Sequence, residues 1–314
     1  MNVLLAGATG AIGVPLTRRL LAAGHRVVGI TRTPANRERL RTLGAELLVA
    51  DAMDREALLR AAEGLEVDAV IHQLTALKNP SLRLRPGDPT AALRVRGTVN
   101  LLDVARAVGT RRFVTQSMIF GYGYGDHGAK ALTEDDPFGR VQGIYTDPLI
   151  ASLDSAERQT FAAEGMEGIA LRYGLFYGPN TFSDLFVDLM NRRRLAIPRG
   201  GGGTLSWVHT EDAASATVSA LELGRSGQAY NVVDEEPVNW RDFTWTLAEA
   251  SGTPRPLELP RWALRLIAPY LAFMMTSTLR VSNARAPREL HWTPSVPTYR
   301  DSIRKMADSP GEAA

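Results

Sequence analysis

A glycine-rich turn near the start of the chain has the residue types and spacing of a phosphate-binding site. Gly7, Gly10 and Gly13 follow an apolar run and precede apolar residues that recur with helical spacing. A strand, a tight turn and a helix N-terminus together aim backbone N–H groups and the positive end of a helix dipole at one point, which suits a pyrophosphate. The turn therefore predicts dinucleotide binding. The expected contacts are Gly7, Thr9, Gly10, Ala11, Ile12 and Gly13.

The end of the second predicted strand, residues 26–30, bears on which dinucleotide binds. A preference for NAD needs an acid there to hold the adenosine ribose hydroxyls. This chain has Thr31 and Arg32 instead, with no carboxylate before Glu38. Because Arg32 and Arg37 could pair with a 2′-phosphate, the sequence favours NADP(H) over NAD(H). The alternative left open is that Arg32 only stacks on the adenine or meets solvent.

Composition excludes several other classes of function. The chain has 314 residues and a formal net charge of +2, so no charge excess points to nucleic acid or to a membrane surface. It has no cysteine, which excludes disulfides, thiolate zinc sites and cysteine nucleophiles. The five histidines are scattered without metal-ligand spacing, so we expect no metal. No signal-peptide pattern precedes the first strand, and the apolar stretch 262–279 is interrupted and short for a bilayer, so we expect a cytoplasmic protein.

Strand and helix patterns alternate along the first half of the chain. Strands are predicted at 26–30, 45–50, 67–73, 112–116 and 168–172, and helices at 36–43, 54–63, 90–108 and 148–163. This alternation predicts an α/β fold with a doubly wound parallel sheet covered on both faces. We expect residues 1–177 to form a dinucleotide-binding domain, with 205–229 returning to it. Residues 178–204 and 230–314 are expected to form a smaller C-terminal substrate-binding lobe.

Short motifs follow one another along nearly the whole chain in a defined order. They are the glycine turn, Asp51 after the third strand, Val70-Ile71-His72, the run 97–102, Tyr122-Gly123, Leu171-Arg172, Tyr177-Gly178-Pro179 and the run 208–212. The ordered set resembles the extended short-chain dehydrogenase/reductase superfamily, within its NAD-dependent epimerase/dehydratase group. The resemblance implies a Rossmann fold and a nicotinamide cofactor whose adenine amino group meets Asp51.

The same resemblance implies further cofactor contacts at the carboxyl ends of the strands. The run Tyr173, Gly174 and Leu175 is expected to wall the nicotinamide site. The other expected contacts are Ala52, Gln73, Leu74, Thr75 and Gln116.

The family's catalytic Tyr-x-x-x-Lys pair falls on other residues in this chain. Aligned on Glu157, with Ser152 also matching, the tyrosine position is Leu149 and the lysine position is Leu153. In the family the tyrosine is a general acid/base, and leucine cannot transfer a proton. We expect both leucines to face the cleft or the core from one side of a helix, because they are four residues apart.

Three hydroxyl groups are candidates for a relocated proton donor. Ser117 ends the fifth strand, while Tyr122 and Tyr145 lie on the loop that follows. The alternatives are a serine that caps its own backbone and tyrosines that are packed or on the surface. The substrate pocket is expected to be apolar and aromatic. Its predicted lining residues are Lys78, Met118, Tyr177, Asn180, Trp207 and Met274.

The leading hypothesis is an NADP(H)-binding oxidoreductase that acts on a small, fairly apolar organic substrate through a relocated proton donor. A redox-neutral isomerase, dehydratase or cyclase and a non-catalytic NADP(H)-sensing protein stay open as alternatives, because the fold alone does not choose among them. The expected partner is a small-molecule substrate, and a homodimer is an open option.

Overall fold

A parallel β-sheet runs through the centre of the protein. The computed structural model describes residues 1–76, 87–296 and 298–308, the side chains of 304–308 excepted. The strands are β1 (Asn2–Ala6), β2 (Arg26–Thr31), β3 (Glu46–Val49), β4 (Ala69–His72), β5 (Arg112–Met118), β6 (Glu167–Tyr173), β7 (Leu175–Tyr177), β8 (Ala196–Pro198), β9 (Thr204–Leu205), β10 (Trp207–His209), β11 (Gln228–Val232), β12 (Val238–Asn239) and β13 (Leu257–Leu259).

Helices connect these strands and cover the sheet. They are α1 (Gly13–Ala22), α2 (Arg37–Leu43), α3 (Arg55–Ala62), α4 (Pro89–Ala92), α5 (Thr98–Ala107), α6 (Asp147–Phe161), α7 (Phe182–Asn191), α8 (Thr210–Leu223), α9 (Trp240–Ala250), α10 (Arg261–Ile267), α11 (Pro269–Thr276), α12 (Arg285–Glu289) and α13 (Tyr299–Asp308). Single turns of 3₁₀-helix occupy Pro34–Asn36 and Ile119–Tyr122. In the described part of the chain, no helix has both the length and the apolar character needed to cross a membrane.

The central sheet has seven strands in the order β3-β2-β1-β4-β5-β6-β11. Every neighbouring pair in it is parallel. The chain moves outwards from β1 to β3 and then returns to β4 on the other side of β1, so the strand order reverses between β1 and β4. Ligands of open α/β sheets bind in the crevice at the carboxyl ends of the strands near such a reversal. The predicted doubly wound fold is confirmed.

Strand β1 shows why the sheet must be covered on both faces. Val3 and Leu5 belong to a core cluster that includes side chains of α1 and α8. Leu4 and Ala6 belong to a second cluster, which includes side chains of α3 and α5. Successive side chains of a strand point to opposite faces, so an uninterrupted apolar strand needs helices on both sides.

Element boundaries differ from the sequence prediction in two places that matter for the site. The single helix predicted over 90–108 is divided into α4, a π-helical turn at Leu93–Gly97 and α5. Such π-helical turns occur frequently at functional sites. Strand β5 extends to Met118, two residues beyond its predicted end, because its pairing with β6 continues to Tyr173. The predicted N-cap of α3 is confirmed, since Asp54 Oδ1 accepts a hydrogen bond from the Ala57 N–H at 3.0 Å.

Candidate functional site

A cavity of about 1960 Å³ lies at the carboxyl ends of the central strands. It extends from the glycine turn, past the ends of β1, β4 and β5, to α6, α7 and the α10–α11 segment. Pockets for a single drug-sized ligand measure roughly 300–1,000 Å³. This cavity can therefore hold a dinucleotide together with a second, smaller molecule.

The glycine turn forms a closely packed cradle at one end of the cavity. Gly7 has φ 101°, and a Cβ there would lie 2.8 Å from the Gln73 carbonyl oxygen. A Cβ on Gly13 would overlap the Gly7 carbonyl oxygen, so only glycine lets α1 begin this close to β1. The Gly10 N–H donates to the same oxygen at 3.0 Å, which closes the turn. The backbone surface that results suits a pyrophosphate, because the ligand can approach the backbone closely and meets the N-terminus of α1.

Arginines rather than acids surround the end of β2. Thr31 is buried, and its hydroxyl accepts hydrogen bonds from Asn36 Nδ2 at 2.9 Å and from the Thr33 N–H at 3.2 Å. Arg32 is exposed and lines the cavity, as does Arg39. Arg37 lies outside the described lining, because its place in the first turn of α2 differs in phase from that of Arg39.

Two carboxylates follow β2 and β3 in the chain. One is paired with an arginine, and the other lines the cavity at a different point from the end of β2. Glu38 forms an exposed ion pair with Arg41 at 3.1 Å. Asp51 lines the cavity after β3, and its Oδ1 accepts the Met53 N–H at 2.9 Å. An acid is thus available near the expected adenine but not at the end of β2.

The cavity continues along polar side chains at the ends of β4, β5 and β6. Gln73 Nε2 donates to the Tyr173 hydroxyl at 2.8 Å, and that hydroxyl is 2.7 Å from Thr217 Oγ1. Burial raises the pKa of Tyr173, so its phenol stays neutral. Gln116 Nε2 is buried and has no hydrogen-bond partner among the described residues, which leaves a donor for a ligand.

Most of the cofactor residues predicted from the sequence lie on this cavity. Gly174 lies outside the lining, because it packs against β10, where a Cβ would come 2.8 Å from the Ser206 carbonyl oxygen. The predicted residues that do line the cavity are Gly7, Thr9, Gly10, Ala11, Ile12, Gly13, Thr31, Arg32, Asp51, Ala52, Gln73, Leu74, Thr75, Gln116, Tyr173 and Leu175.

Three apolar side chains meet at the far end of β5. Met118, Leu149 and Leu153 all line the cavity, Met118 from β5 and the two leucines from one face of α6. The structure thus confirms that Leu149 and Leu153 face the cleft. Ser117 alternates with Met118 along β5, so its side chain points to the opposite face of the sheet. It is fully buried, and its Oγ has no hydrogen-bond partner among the described residues.

The candidate tyrosine hydroxyls also lie away from the described cavity lining. The Tyr122 hydroxyl donates to Asn231 Oδ1 at 2.8 Å and accepts from Arg172 Nη1 at 3.0 Å. Burial raises the pKa of Tyr122 to about 12, so it holds its proton in the neutral range. Tyr145 is partly exposed and stacks on Phe273, with 5.9 Å between the ring centroids. The structure therefore does not bring Ser117, Tyr122 and Tyr145 together at the cavity.

The predicted substrate residues divide into cavity and core. Tyr177 is buried in the core and donates its hydroxyl to Asp234 Oδ2 at 2.7 Å. Trp207 is also in the core, where its ring stacks on Phe243 at a centroid distance of 3.8 Å. Lys78 lies outside the described residues. The predicted residues that do line the cavity are Met118, Asn180 and Met274.

The sequence analysis did not identify five of the arginines that line the cavity, namely Arg18, Arg39, Arg94, Arg193 and Arg194. Arg39 was missed because the phase of α2 relative to the cavity is not a local property. Arg94, in the π-helical turn, is buried and lines the cavity. A signal for Arg94 was available, since it shares a helix face with the apolar residues Leu101 and Leu102.

Comparison with known proteins places the chain in a family. A model of the NAD dependent epimerase/dehydratase family matches residues 3–233. The chain is 35% identical to a 3-diazoavenalumate denitrifying reductase from Streptomyces sp, over 96% of this chain and 99% of the relative. It is 29% identical to a 2-alkyl-3-oxoalkanoate reductase from Stenotrophomonas maltophilia, over 81% of this chain and 77% of the relative.

Solved structures show the same fold. The UDP-glucose 4-epimerase of Thermus thermophilus, in complex with NAD, superposes with a TM-score of 0.81 at 24% identity and covers 100% of both chains. The Thermotoga maritima UDP-glucose 4-epimerase with UDP-glucose gives a TM-score of 0.80 at 20% identity, with 98% of each chain covered. The family match and the reductase relatives agree with the glycine cradle and the strand order. The chain therefore belongs to the NAD-dependent epimerase/dehydratase family of enzymes.

Proposed function

We propose that the protein is an NADPH-dependent reductase whose substrate accepts a hydride without a proton from the protein, and that this substrate is an aryl diazonium compound. The observation that carries the proposal is the apolar group of Met118, Leu149 and Leu153 on the cavity. By resemblance to the family, Leu149 and Leu153 fall where a tyrosine and a lysine would act in proton transfer, and the catalytic serine or threonine falls near Ser117 or Met118.

The three side chains limit the chemistry that the cavity can support. Leu153 is fully buried and Met118 nearly so, and neither a thioether nor an alkyl group can act as a general acid. Their contribution is to exclude water and to give an aromatic substrate an apolar surface to pack on. A bound reduced nicotinamide supplies a hydride. A substrate held against these three side chains would therefore reach a stable product without an acid from their positions.

The candidate reactions differ in whether the product of hydride transfer needs a proton. Reduction of a ketone leaves an alkoxide, for which general acid catalysis is typically worth about 10²–10⁴-fold. An aryl diazonium cation that accepts a hydride loses dinitrogen and becomes a neutral arene, so charge and atoms balance without a proton. The similar Streptomyces protein is named a denitrifying reductase of a diazo compound, which supports this choice.

The surroundings of the cofactor support NADPH over NADH. Family membership supports a nicotinamide dinucleotide in the cavity, and the glycine cradle fits its pyrophosphate. Arg32 directly follows β2 and lines the cavity, as does Arg39 of α2. Arginines bind phosphates through charge-assisted hydrogen bonds, so this pair would favour a cofactor with a 2′-phosphate.

The relocated proton donor expected from the sequence receives less support. Ser117 points away from the cavity, and Tyr122 shares its hydroxyl with Asn231 and Arg172. No observation favours a redox-neutral reaction or a purely sensory role over hydride transfer.

The test follows the origin of the hydrogen that replaces dinitrogen. The protein is mixed with NADPH and with benzenediazonium or 4-carboxybenzenediazonium, and NADPH oxidation, dinitrogen and arene are measured together. We expect all three in equal amounts and faster than with heat-denatured protein. NADPH deuterated on its nicotinamide ring should place deuterium in the arene, whereas D₂O should not. Arene formation without NADPH oxidation, or no acceleration over the denatured control, would contradict the proposal.

A further inference from the structure

Arg94 is a buried cation that lacks a partner in the described structure. Its side chain is among the largest that are fully enclosed, and it lines the cavity. Nε and Nη1 make no hydrogen bond to any described residue, and no described carboxylate pairs with the guanidinium. A buried charge without a partner is costly, because desolvation is not offset by an ion pair. Such a group calls for an explanation in terms of function.

Two tyrosines and one aspartate act electrostatically on the Arg94 guanidinium. Burial lowers its pKa, while Tyr270, Tyr124 and Asp88 act in the opposite direction. The two tyrosine hydroxyls are 3.2 Å apart, and Tyr270 lines the cavity with Arg94. The Asp88 carboxylate caps α4 by accepting the Ala91 N–H at 2.9 Å. The guanidinium thus keeps free donors next to a neutral phenol pair.

Arg94 lies on a turn that packs against the helix lining the apolar end of the cavity. The π-helical turn that carries it packs against α6, the helix that presents Leu149 and Leu153. Met274 of α11 lines the same cavity. A ligand that spans this region would meet apolar side chains along its body and a cation at one end.

We propose that Arg94 binds a carboxylate of the substrate, so that the substrate is an aromatic acid held by its acid group. A planar carboxylate matches the forked donors of a guanidinium and would satisfy the buried charge. The identity of the reacting group rests on the proposed function, whereas the acid-binding site stands on Arg94 alone.

The test measures binding rather than turnover, so the two proposals can fail separately. Protein saturated with NADP⁺ is titrated with benzoate, 3-phenylpropionate and trans-cinnamate, and with the matching neutral amides, by calorimetry. We expect at least one acid to bind more tightly than its amide. Arg94→Met should weaken binding of that acid by about 10- to 100-fold and leave the amide unchanged. Arg94→Lys keeps the positive charge but lacks the forked donors of a guanidinium. Its affinity for the acid should lie between those of the wild type and Arg94→Met.

Controls separate a ligand site from a structural role. Arg96→Met, on the same π-helical turn but exposed, should leave the acid preference unchanged. Arg94→Met should keep or raise the Tm, because it removes an uncompensated buried charge. A folded Arg94→Met protein that still prefers the acid, a wild type that prefers none of the acids, or a lowered Tm for Arg94→Met would each overturn the proposal. An intact acid preference without diazonium reduction would overturn the proposed function only.

Discussion

Arg172 on β6 holds Glu157 on α6 through a forked, buried ion pair. Its Nε and Nη2 lie 3.0 and 2.8 Å from the two carboxylate oxygens of Glu157. The third guanidinium nitrogen donates to the Tyr122 hydroxyl at 3.0 Å. The Glu157 hydrogen bonds and charge raise the pKa of Arg172 against the opposing effect of its burial. The ion pair links α6 to the central sheet, and α6 is the helix that presents Leu149 and Leu153 to the cavity.

Removal of one partner of this ion pair should be strongly destabilising. Glu157→Gln leaves the buried Arg172 charge without its carboxylate partner, and we expect the free energy of unfolding to fall by about 3–5 kcal/mol. Urea denaturation followed by circular dichroism measures the change. As the control, Glu38→Gln breaks the exposed pair with Arg41 and should change stability by less than about 1 kcal/mol. Equal effects of the two substitutions would show that the buried pair has no special role.

The preference for NADPH over NADH should depend on Arg32, and also on Arg39 of α2. Arg32→Ala should weaken NADPH binding by about 1.5–3 kcal/mol, through loss of a charge-assisted phosphate contact, and leave NADH binding unchanged. Fluorescence titration with both cofactors measures the effect. Equal affinities of the wild type for NADPH and NADH would contradict the NADPH preference.

Arg37 and Arg39 form a matched pair for the same question. Arg39 lines the cavity and Arg37 does not, so Arg39→Ala should weaken NADPH binding while Arg37→Ala should have little effect. The sequence alone favoured Arg37. A larger effect of Arg37→Ala would show that the phase of α2 differs when the cofactor is bound.

Restoring the family's catalytic pair should not improve the enzyme. Leu149→Tyr with Leu153→Lys introduces a phenol and an ammonium group, but hydride transfer to a diazonium cation needs neither. Leu153 is fully buried, so a lysine there loses its hydration and should also lower the Tm. The turnover of the double variant with 4-carboxybenzenediazonium and NADPH is compared with that of the wild type. A large gain in turnover would indicate that proton transfer limits the reaction.

Tyr145→Phe distinguishes a relocated proton donor from the mechanism proposed above. The substitution keeps the aromatic stack on Phe273 and removes only the hydroxyl. We expect turnover to change by less than about threefold, whereas loss of a general acid typically costs about 10²–10⁴-fold. Steady-state kinetics with the diazonium probe measures this. A hundredfold decrease in kcat with unchanged NADPH affinity would restore Tyr145 as the donor.

His72 should make the protein less stable in mild acid. It is fully buried on β4, and burial lowers its pKa to about 4, with the Arg94 charge also lowering it. Its pKa in the unfolded chain is about 6.5, so the unfolded state binds the proton first as the pH falls. Stability is therefore complete above about pH 6.5 and falls by about 3 kcal/mol as the pH approaches 4. Urea midpoints across this range should show a weaker pH dependence for His72→Gln than for the wild type.

The glycine turn, the strand–helix alternation and the α3 N-cap could be predicted from the sequence because each depends on local interactions. Gly7 and Gly13 occupy positions where a side chain would meet backbone within the same turn or the next strand. Asp54 caps a helix that begins at the next residue. Turn geometry, side-chain periodicity and capping act over a few residues, so they can be recognised without knowledge of the rest of the fold.

Tertiary structure alone decided which side chains reach the cavity. The period of two along β5 makes Ser117 and Met118 face opposite sides of the sheet. The fold places Met118, and not Ser117, on the cavity. Trp207 and Tyr177 have the types expected of a substrate pocket and are instead enclosed in the core. The period of an element is a local property, whereas its phase relative to a distant surface depends on contacts between residues far apart in sequence. For this reason the sequence predicted the cofactor site in outline and the two leucines of α6 at the cleft, while the cavity side of β5 and the lack of a partner for the buried Arg94 among the described residues were decided by the fold.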